Sequence, residues 1–495
     1  MLIVLPSFCE AWAVNTSIGD LIKIQKSRPH KKARDARISA AMRVQLVNPP
    51  PFKINDQYDA PDFPQLGLAT LAGYLINKGL TDISVIDAKF ERLDYDAILR
   101  RVAAYKPDII GITAMTNEVI QAAKVASLIK ERFPQITTVI GGIHVSVLPE
   151  QTLKEFPSFD IGIVGQGEIS LHQLIKALEQ GGDIKDVKGI VYRFGNQILQ
   201  NAPRFEAVDL DFTPAWHLFP KAKTYMISSQ RGCPFNCPFC VNPNGHRLNK
   251  RSIQSVIDEM TMLADDFGAT KVVFADEVFS LDRKRTIELC QAMIGAGLAK
   301  KLTWKASTHV NSVDVEVFKF MKDSGCYLIE LGIESGDPDI LKFMHKGVTI
   351  EKILKVRQDA KAAGIPFCAL FILGHPNETL RTAWRTLNLA VRLNSDLTIL
   401  GIMVPFPGTR IGEMAKRGEG GYRLIAKDWN DYGKQHGHAV EMQTLSRRQL
   451  ELLQGLGYIR VLLENGRVVD LAKFIWQFRR EAMALGKRLL SVDRS

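Results

Sequence analysis

A chain of 495 residues, 46% apolar and 24% charged, is long enough for two or three domains with substantial cores and is neither disordered nor fibrous overall. Seven cysteines are an odd number, and four of them (Cys9, Cys290, Cys326 and Cys368) stand alone, which argues against a secreted disulfide framework and for a reducing cytoplasm. The net charge of +11 is spread along the chain without aromatic interleaving, so it suits anionic small ligands or an acidic redox partner better than nucleic acid. No apolar run approaches the roughly 18 to 20 residues of an integral membrane segment.

In chain order, residues 1–42 carry the basic stretch KIQKSRPHKKARDAR, show no core periodicity and lack the basic leader of a secretory signal; a disordered extension is expected there. From residue 43, five short apolar runs, RVQLVN, ISVIDA, DIIGIT, TTVIGG and DIGIVG, alternate with amphipathic segments. This pattern predicts a doubly wound, Rossmann-like parallel α/β sheet over 43–185, with ligands at the carboxyl ends of its strands. Those ends are rich in small or hydroxyl-bearing residues, as a backbone approaching a large ligand requires, and they give the candidates Thr113, Met115 and Thr116; Gly141, Gly142 and His144; and Gly165, Gly167 and Glu168. GIVYRFGNQILQN predicts a hairpin opening a linker over 186–220.

A second alternating series, from TYMISSQ through KVVFAD, LTWKAS, YLIELGIE and PFCALFILG to TILGIMVP, predicts a six-stranded partial β/α barrel over 221–430. Residues 431–495 are expected to form a small helical region. Directly after the first barrel strand comes RGCPFNCPFC, where Pro234, Asn236 and Pro238 hold a non-helical loop and let the sulfurs of Cys233, Cys237 and Cys240 converge. A structural zinc site would need a fourth ligand, for which His246 is available. A four-iron cluster held by three thiolates keeps one iron open to a substrate or cofactor.

The spacing C-x3-C-x2-C, with an aromatic residue before the last cysteine and at this place in a barrel series, resembles the radical S-adenosylmethionine enzymes over residues 221 to about 415. The resemblance implies a 4Fe-4S cluster on Cys233, Cys237 and Cys240, with S-adenosylmethionine chelated by the open iron. It implies Phe239 beside the adenine and one of Asp276 and Glu277 on the methionyl ammonium, although Ala-Asp-Glu replaces the usual Gly-Gly-Glu. It also implies Ser307 at the third strand end, Glu334 and Ser335 on the ribose, and strand-end loops at Gly374 and Val404. His309 and His375 fit either a site or a structural role.

A doubly wound domain ahead of such a barrel resembles the cobalamin-binding members of the family, with the corrinoid held by the strand-end residues named above. The D-x-H-x-x-G cobalt-ligand motif is missing, so no lower axial ligand is assigned. The function implied is methylation of an unactivated carbon of a small molecule through a 5′-deoxyadenosyl radical and methylcobalamin, fed by a low-potential donor such as flavodoxin or ferredoxin. Oxidative cyclisation, as in anaerobic tetrapyrrole ring closure, is the alternative within the superfamily, and a non-catalytic iron-sulfur and corrinoid sensor the alternative outside it. The substrate and the oligomeric state are not legible.

Overall fold

The computed structural model describes residues 42–52, 61–242, 245–433 and 438–477, so the extension expected over 1–42 lies, apart from Met42, outside the described residues. The five predicted strands form as β1 (Val44–Asn48), β2 (Ile83–Asp87), β3 (Ile109–Thr113), β4 (Thr137–Gly141) and β5 (Ile161–Ile163), all parallel, in the order β2-β1-β3-β4-β5. Between them run α1 (Leu66–Asn77), α2 (Tyr95–Tyr105), α3 (Val119–Arg132), α4 (Ile143–Val147) and α5 (Pro149–Glu155), and α6 (Gly167–Glu179) follows β5. Alternation along each strand divides the sheet's apolar side chains between two layers. Val44, Leu46, Val85 and Ile109 pack with α1 and α6, while Val47, Ile86, Ile110 and Ile112 pack with α2 and α3.

The expected hairpin forms as β6 (Ile190–Phe194) and β7 (Gln197–Gln200), turning at Gly195 and Asn196, but it joins the sheet instead of leaving it. Ile190, Val191 and Tyr192 are buried, and β6 pairs antiparallel with β5, covering what would otherwise be an open edge. The chain then crosses α1: Ala215 N–H donates to Ala69 O at 2.8 Å.

The second sheet contains β8 (Thr224–Ile227), a two-residue ladder of β9 (Gln230–Arg231) with β10 (Asn249–Lys250) at the foot of the cysteine loop, then β11 (Lys271–Phe274), β12 (Thr303–Thr308), β13 (Cys326–Glu334), β14 (Phe367–Leu373) and β15 (Leu397–Ile402). Its six main strands are parallel and lie in sequence order from β8 to β15, an open partial barrel. On the convex face Tyr225, Val272, Trp304, Ile329, Leu331, Ala369 and Phe371 are fully buried under α7 (Ile253–Asp265), α8 (Arg283–Gly295), α9 (Val315–Asp323), α10 (Pro338–Phe343), α11 (Ile350–Ala363) and α12 (Leu380–Leu393). The alternate residues face the concave side.

After β15, α13 (Arg410–Arg417) leads to β16 (Tyr422–Leu424), and the terminal region departs from the all-helical expectation. It opens with β17 (Val440–Met442), paired antiparallel to β16, with Val440 and Met442 buried and Glu441 ion-paired with Arg423. Helix α14 (Arg447–Glu464) then covers the β15 edge: Leu400 N–H donates to Tyr458 Oη at 3.0 Å, and the Gln454 amide donates to Leu400 O. Helix α15 (Val468–Gln477) completes the described chain, and among the described residues no helix is long and apolar enough to cross a membrane.

The linker is clamped between the two sheets. Trp216 Nε1 donates to Glu259 Oε1 of α7 at 2.8 Å, and on α1 the Gly73 position has no room for a side chain, since a Cβ would overlap Thr213 O and stand 2.9 Å from Pro214 Cα. Gly73→Ala should therefore lower stability by about 1–3 kcal/mol, read as a drop in the urea midpoint. Gly67→Ala, whose Cβ would meet nothing closer than 3.4 Å, should leave that midpoint unchanged or raise it slightly, as Gly→Ala does inside a helix.

Candidate functional site at the facing strand ends

The cysteine loop is held at its root by the end of β11. Asp276, 2% exposed, accepts from Ser229 N–H at 2.7 Å, from the Ser229 hydroxyl and from Gln230 N–H at 3.4 Å, and burial pushes its carboxyl up to about 6. Of the two acids that follow this strand, Asp276 is thus committed to fixing the chain between β8 and the cysteines, while Glu277 accepts from Gly232 N–H at 3.0 Å inside the loop itself. Gly232 has φ +98°, and a Cβ there would overlap Arg247 O, so only glycine fits. The loop closes through Cys233 N–H to Gly245 O (3.1 Å), Asn242 Nδ2 to Cys233 O (2.8 Å) and Ile411 N–H to Pro238 O (2.9 Å).

Cys233 and Cys237 are half-buried and Cys240 exposed, and none is in a disulfide. Burial pushes the Cys237 thiol up to about 11; Glu334 and the other two cysteines add to the rise and Lys346 opposes it. Among the described residues no three His, Cys, Asp or Glu side chains are grouped to hold a single metal ion. A cubane presents a different iron to each thiolate and needs its ligands farther apart than one zinc does. His246, weighed as a zinc ligand, directs Nδ1 at Cys233 O, 3.2 Å away.

Around the loop stand the carboxyl ends of the barrel strands. Phe235 stacks on His309 with ring centroids 4.1 Å apart and planes 13° apart. His309 Nδ1 accepts from Asn311 N–H at 3.1 Å and burial lowers its pKa to about 4, so the neutral ring carries its proton on Nε2. Phe239 packs its ring against the barrel core, and Ser307 donates to Glu330 Oε2 at 2.8 Å.

Glu334 has φ +67° and forms a buried ion pair with Lys346 (2.6 Å). Ser335 is sealed from solvent, bonded to Thr386 Oγ1 (3.1 Å) and to Asp337 N–H (3.1 Å), so its hydroxyl fastens the turn into α10. Gly374 has φ +87° and Val404 is buried against Tyr432 and Ala439; both shape the rim through backbone and packing. His375 is fully buried, its Nε2 3.3 Å from Glu334 O.

On the first sheet, Thr113 and Gly141 are register partners at the ends of β3 and β4, with Met115 exposed beside them. A Cβ at Gly141 or at Gly165 (φ +82°) would touch nothing, so both border open space. Gly142 differs: at φ +100°, its Cβ would lie 2.6 Å from Ala114 O, so its smallness serves the protein's own packing. Gly167 opens α6, and Thr116 and His144 are buried. His144 lies edge-on to Trp429 with centroids 4.8 Å apart, and burial lowers its pKa to about 4.

Glu168, 5% exposed, pairs with Arg231 at 2.7 Å, joining the first turn of α6 to the residue two before Cys233. Gly408 beyond β15 abuts Val147 of α4, and Asn430 Oδ1 accepts from Gln121 Nε2 at 2.9 Å. The carboxyl edges of the two sheets therefore face each other. Sequence reasoning assigned no role to Arg231, Lys346 or Trp429. Their partners lie 63, 12 and 285 residues away, and no local pattern marks such pairings.

A thiol-bearing loop at the mouth of an open β/α barrel, set against the ligand-binding edge of a doubly wound sheet, defines the radical S-adenosylmethionine class that carries a second, corrinoid-type domain. Residues 227–390 match the model of the Radical SAM superfamily and residues 58–175 that of the B12 binding domain. The chain is 33% identical over 402 residues to an uncharacterised methyltransferase of Pyrococcus horikoshii, covering 79% of this chain and 86% of the relative. It is 31% identical over 383 residues to the anaerobic magnesium-protoporphyrin IX monomethyl ester cyclase of Rubrivivax gelatinosus, covering 74% of this chain and 68% of the relative.

Among solved structures, the radical S-adenosylmethionine methyltransferase TsrM from Kitasatospora setae, with cobalamin and a 4Fe-4S cluster bound, shares the fold with a TM-score of 0.68 at 21% identity, over 84% of this chain and 91% of that one. The chain belongs to the cobalamin-dependent radical S-adenosylmethionine enzymes, a family in which its relatives include methyltransferases and a magnesium-protoporphyrin cyclase.

One buried acid yields a pH test. Glu378 in the turn after β14 accepts from Gly374 N–H and from His375 N–H (3.1 Å), and burial raises its pKa from 4.5 to about 7. The folded state holds this proton more tightly than the unfolded chain, so the contribution is full below pH 4.5 and is lost as pH rises to about 7. Glu378→Gln keeps an acceptor for both amides. Relative to wild type it should gain up to about 3 kcal/mol between those limits and no more above them, read from urea midpoints across pH.

Proposed function

We propose that the protein methylates an unactivated carbon of a small molecule, using S-adenosylmethionine both as radical source and as methyl donor. The observation that carries this reading is the meeting of two strand-end faces, one bearing the cysteine loop and the other the open glycine positions, with Arg231–Glu168 as the joint. The groups present fit the cofactors. Cys233, Cys237 and Cys240 supply three thiolates, and Gly141 and Gly165 leave a gap that any side chain would begin to fill. When bound, the cluster with S-adenosylmethionine supplies a 5′-deoxyadenosyl radical and the corrinoid a transferable methyl group.

The chain's own residues position these partners. Glu277, already on the loop backbone, is placed to accept from the methionyl ammonium, while Asp276 keeps the loop aimed. Lys346 sets a positive charge beside the thiolates, held there by Glu334. The Phe235–His309 stack and Phe239 keep water from the loop's barrel side. Thr113, Met115 and the loop from Gly165 to Glu168 border the corrinoid gap. A low-potential flavodoxin or ferredoxin in the cytoplasm fits the basic chain as electron donor, and nothing in the charge distribution favours nucleic acid. Ring closure without methylation is the second reading, favoured by the identity to the cyclase.

Gly141→Trp should abolish retention of hydroxocobalamin through gel filtration, read by visible absorbance, while the 4Fe-4S content stays unchanged; Gly142 is unsuitable for this test because its substitution strains Ala114 directly. Cys237→Ala should lose the cluster in iron and sulfide analysis after anaerobic reconstitution. With substrate, a low-potential reductant and S-adenosylmethionine carrying a deuterated methyl group, the wild type should form 5′-deoxyadenosine and S-adenosylhomocysteine and label the product. Deoxyadenosine with an unlabelled, oxidised product would replace methylation by cyclisation.

A further inference from the structure

The concave face of the barrel is divided chemically. Its side chains alternate with the buried convex ones: Met226, Val273, Lys305, Ser307, Glu330, Leu370, Ile372 and Ile399 are half-buried or exposed, each beside a neighbour that is fully buried on the other face. Register places them in rows. Ser307, Glu330, Cys368 and Leu397 lie side by side across β12 to β15, and Gly332, Leu370 and Ile399 form the next row toward the cysteine loop. Above Gly332 the lumen is roofed by the Glu334–Lys346 pair, since a Cβ on Gly332 would stand 2.6 Å from Lys346 Nζ.

The β12–β13 side of this lumen is polar. Lys305 Nζ donates to Glu330 Oε1 at 2.8 Å and Ser307 Oγ to Glu330 Oε2 at 2.8 Å, so both carboxylate oxygens are engaged. An ammonium has three donors, and among the described residues Glu330 takes one from Lys305, whose side chain is 29% exposed. The β14–β15 side is apolar, with Leu370 and Ile372 half-buried and Ile399 37% exposed. Apolar side chains on an inner barrel face gain by being covered, and a lysine in the same space gains from an acceptor. Four residues separate Glu330 from Glu334 along one strand, about 13 Å, so this patch lies below the level of the Glu334–Lys346 pair.

We propose that the lumen binds an amphiphilic substrate whose apolar skeleton lies on Leu370, Ile372 and Ile399 and whose anionic oxygen group, a carboxylate or its equivalent, is taken by Lys305, with Glu330 and Ser307 fixing the lysine. This rests on the methyltransferase reading for the chemistry, and it adds the class of molecule that reaches it. Lys305 is a specificity residue: it selects the end of the substrate remote from the reacting carbon.

The test uses the full chain with its cluster reconstituted and two fluorescent probes, the anionic anilinonaphthalene sulfonate and the uncharged N-phenylnaphthylamine. Wild type should prefer the anion. Lys305→Met should weaken the anionic probe about tenfold, as loss of one charge-assisted bond does, and change the uncharged probe less than about twofold. Lys305→Arg should restore most of the preference, and Leu370→Trp should weaken both probes. Equal loss of both probes in Lys305→Met, no loss of either, or unchanged binding in Leu370→Trp overturns the proposal. Iron content and reductant-dependent deoxyadenosine formation, measured on the same wild-type preparation, report separately on the radical reading. Their failure would leave the probe pattern to decide the lumen on its own.

Discussion

Parallel strands cannot be joined by a tight turn; each must be followed by a crossover that returns the chain to the same end of the sheet. In a chain with two such sheets, every strand then releases its loop at a carboxyl edge, and those loops are the segments free to vary. Here the two carboxyl edges are turned toward each other, held by Arg231–Glu168, by Gly408 against Val147 and by Trp429 over His144. One sheet contributes open glycine positions to the cleft between them and the other a loop with three thiols. Cofactors bound to separate domains can meet only because of this facing arrangement.

Buried charge maintains the arrangement. Asp276 collects two backbone amides and a hydroxyl at the root of the cysteine loop. Arg251 and Glu259 form a further buried pair that also engages Ser228 O and the Trp216 indole. Such pairs contribute little net stability when formed, but removing one partner strands a charge at about 3–5 kcal/mol. They therefore specify one geometry more than they strengthen the fold. The Glu334–Lys346 pair is of the same kind, and Lys346 also lies within electrostatic reach of the Cys237 thiol.

The two faces of the barrel sheet follow opposite rules. The convex face carries the core, close-packed under helices, and its few polar side chains, such as Thr308 and Thr398, are buried. The concave face holds a lysine, a glutamate and a serine beside uncovered leucine and isoleucine, a combination with no packing purpose of its own. Helix α14 reinforces the division by closing the β15 edge through Tyr458 and Gln454, so the lumen is bounded on that side without being filled.

Much was legible before any tertiary contact was known. Short apolar runs at regular spacing mark all eleven parallel strands, because a buried strand is written locally; the cysteine spacing marks the loop, because its three thiols lie within eight residues. Glycine positions were legible as a class but not in their roles. Gly141 borders open space while Gly142 accommodates Ala114, and adjacent identical residues carry no signal that separates them. Which acid of the pair after β11 fixes the root of the cysteine loop was decided by Ser229 and Gln230, 47 and 46 residues earlier in the chain. Only the tertiary structure brought Glu168 to Arg231, Lys346 to Glu334, Trp429 to His144 and Lys305 to Glu330. The sequence determines periodicity and local donors because those depend on neighbours within a few residues; partner choice between charges depends on how sheets twist and domains dock, which no short window of the chain contains.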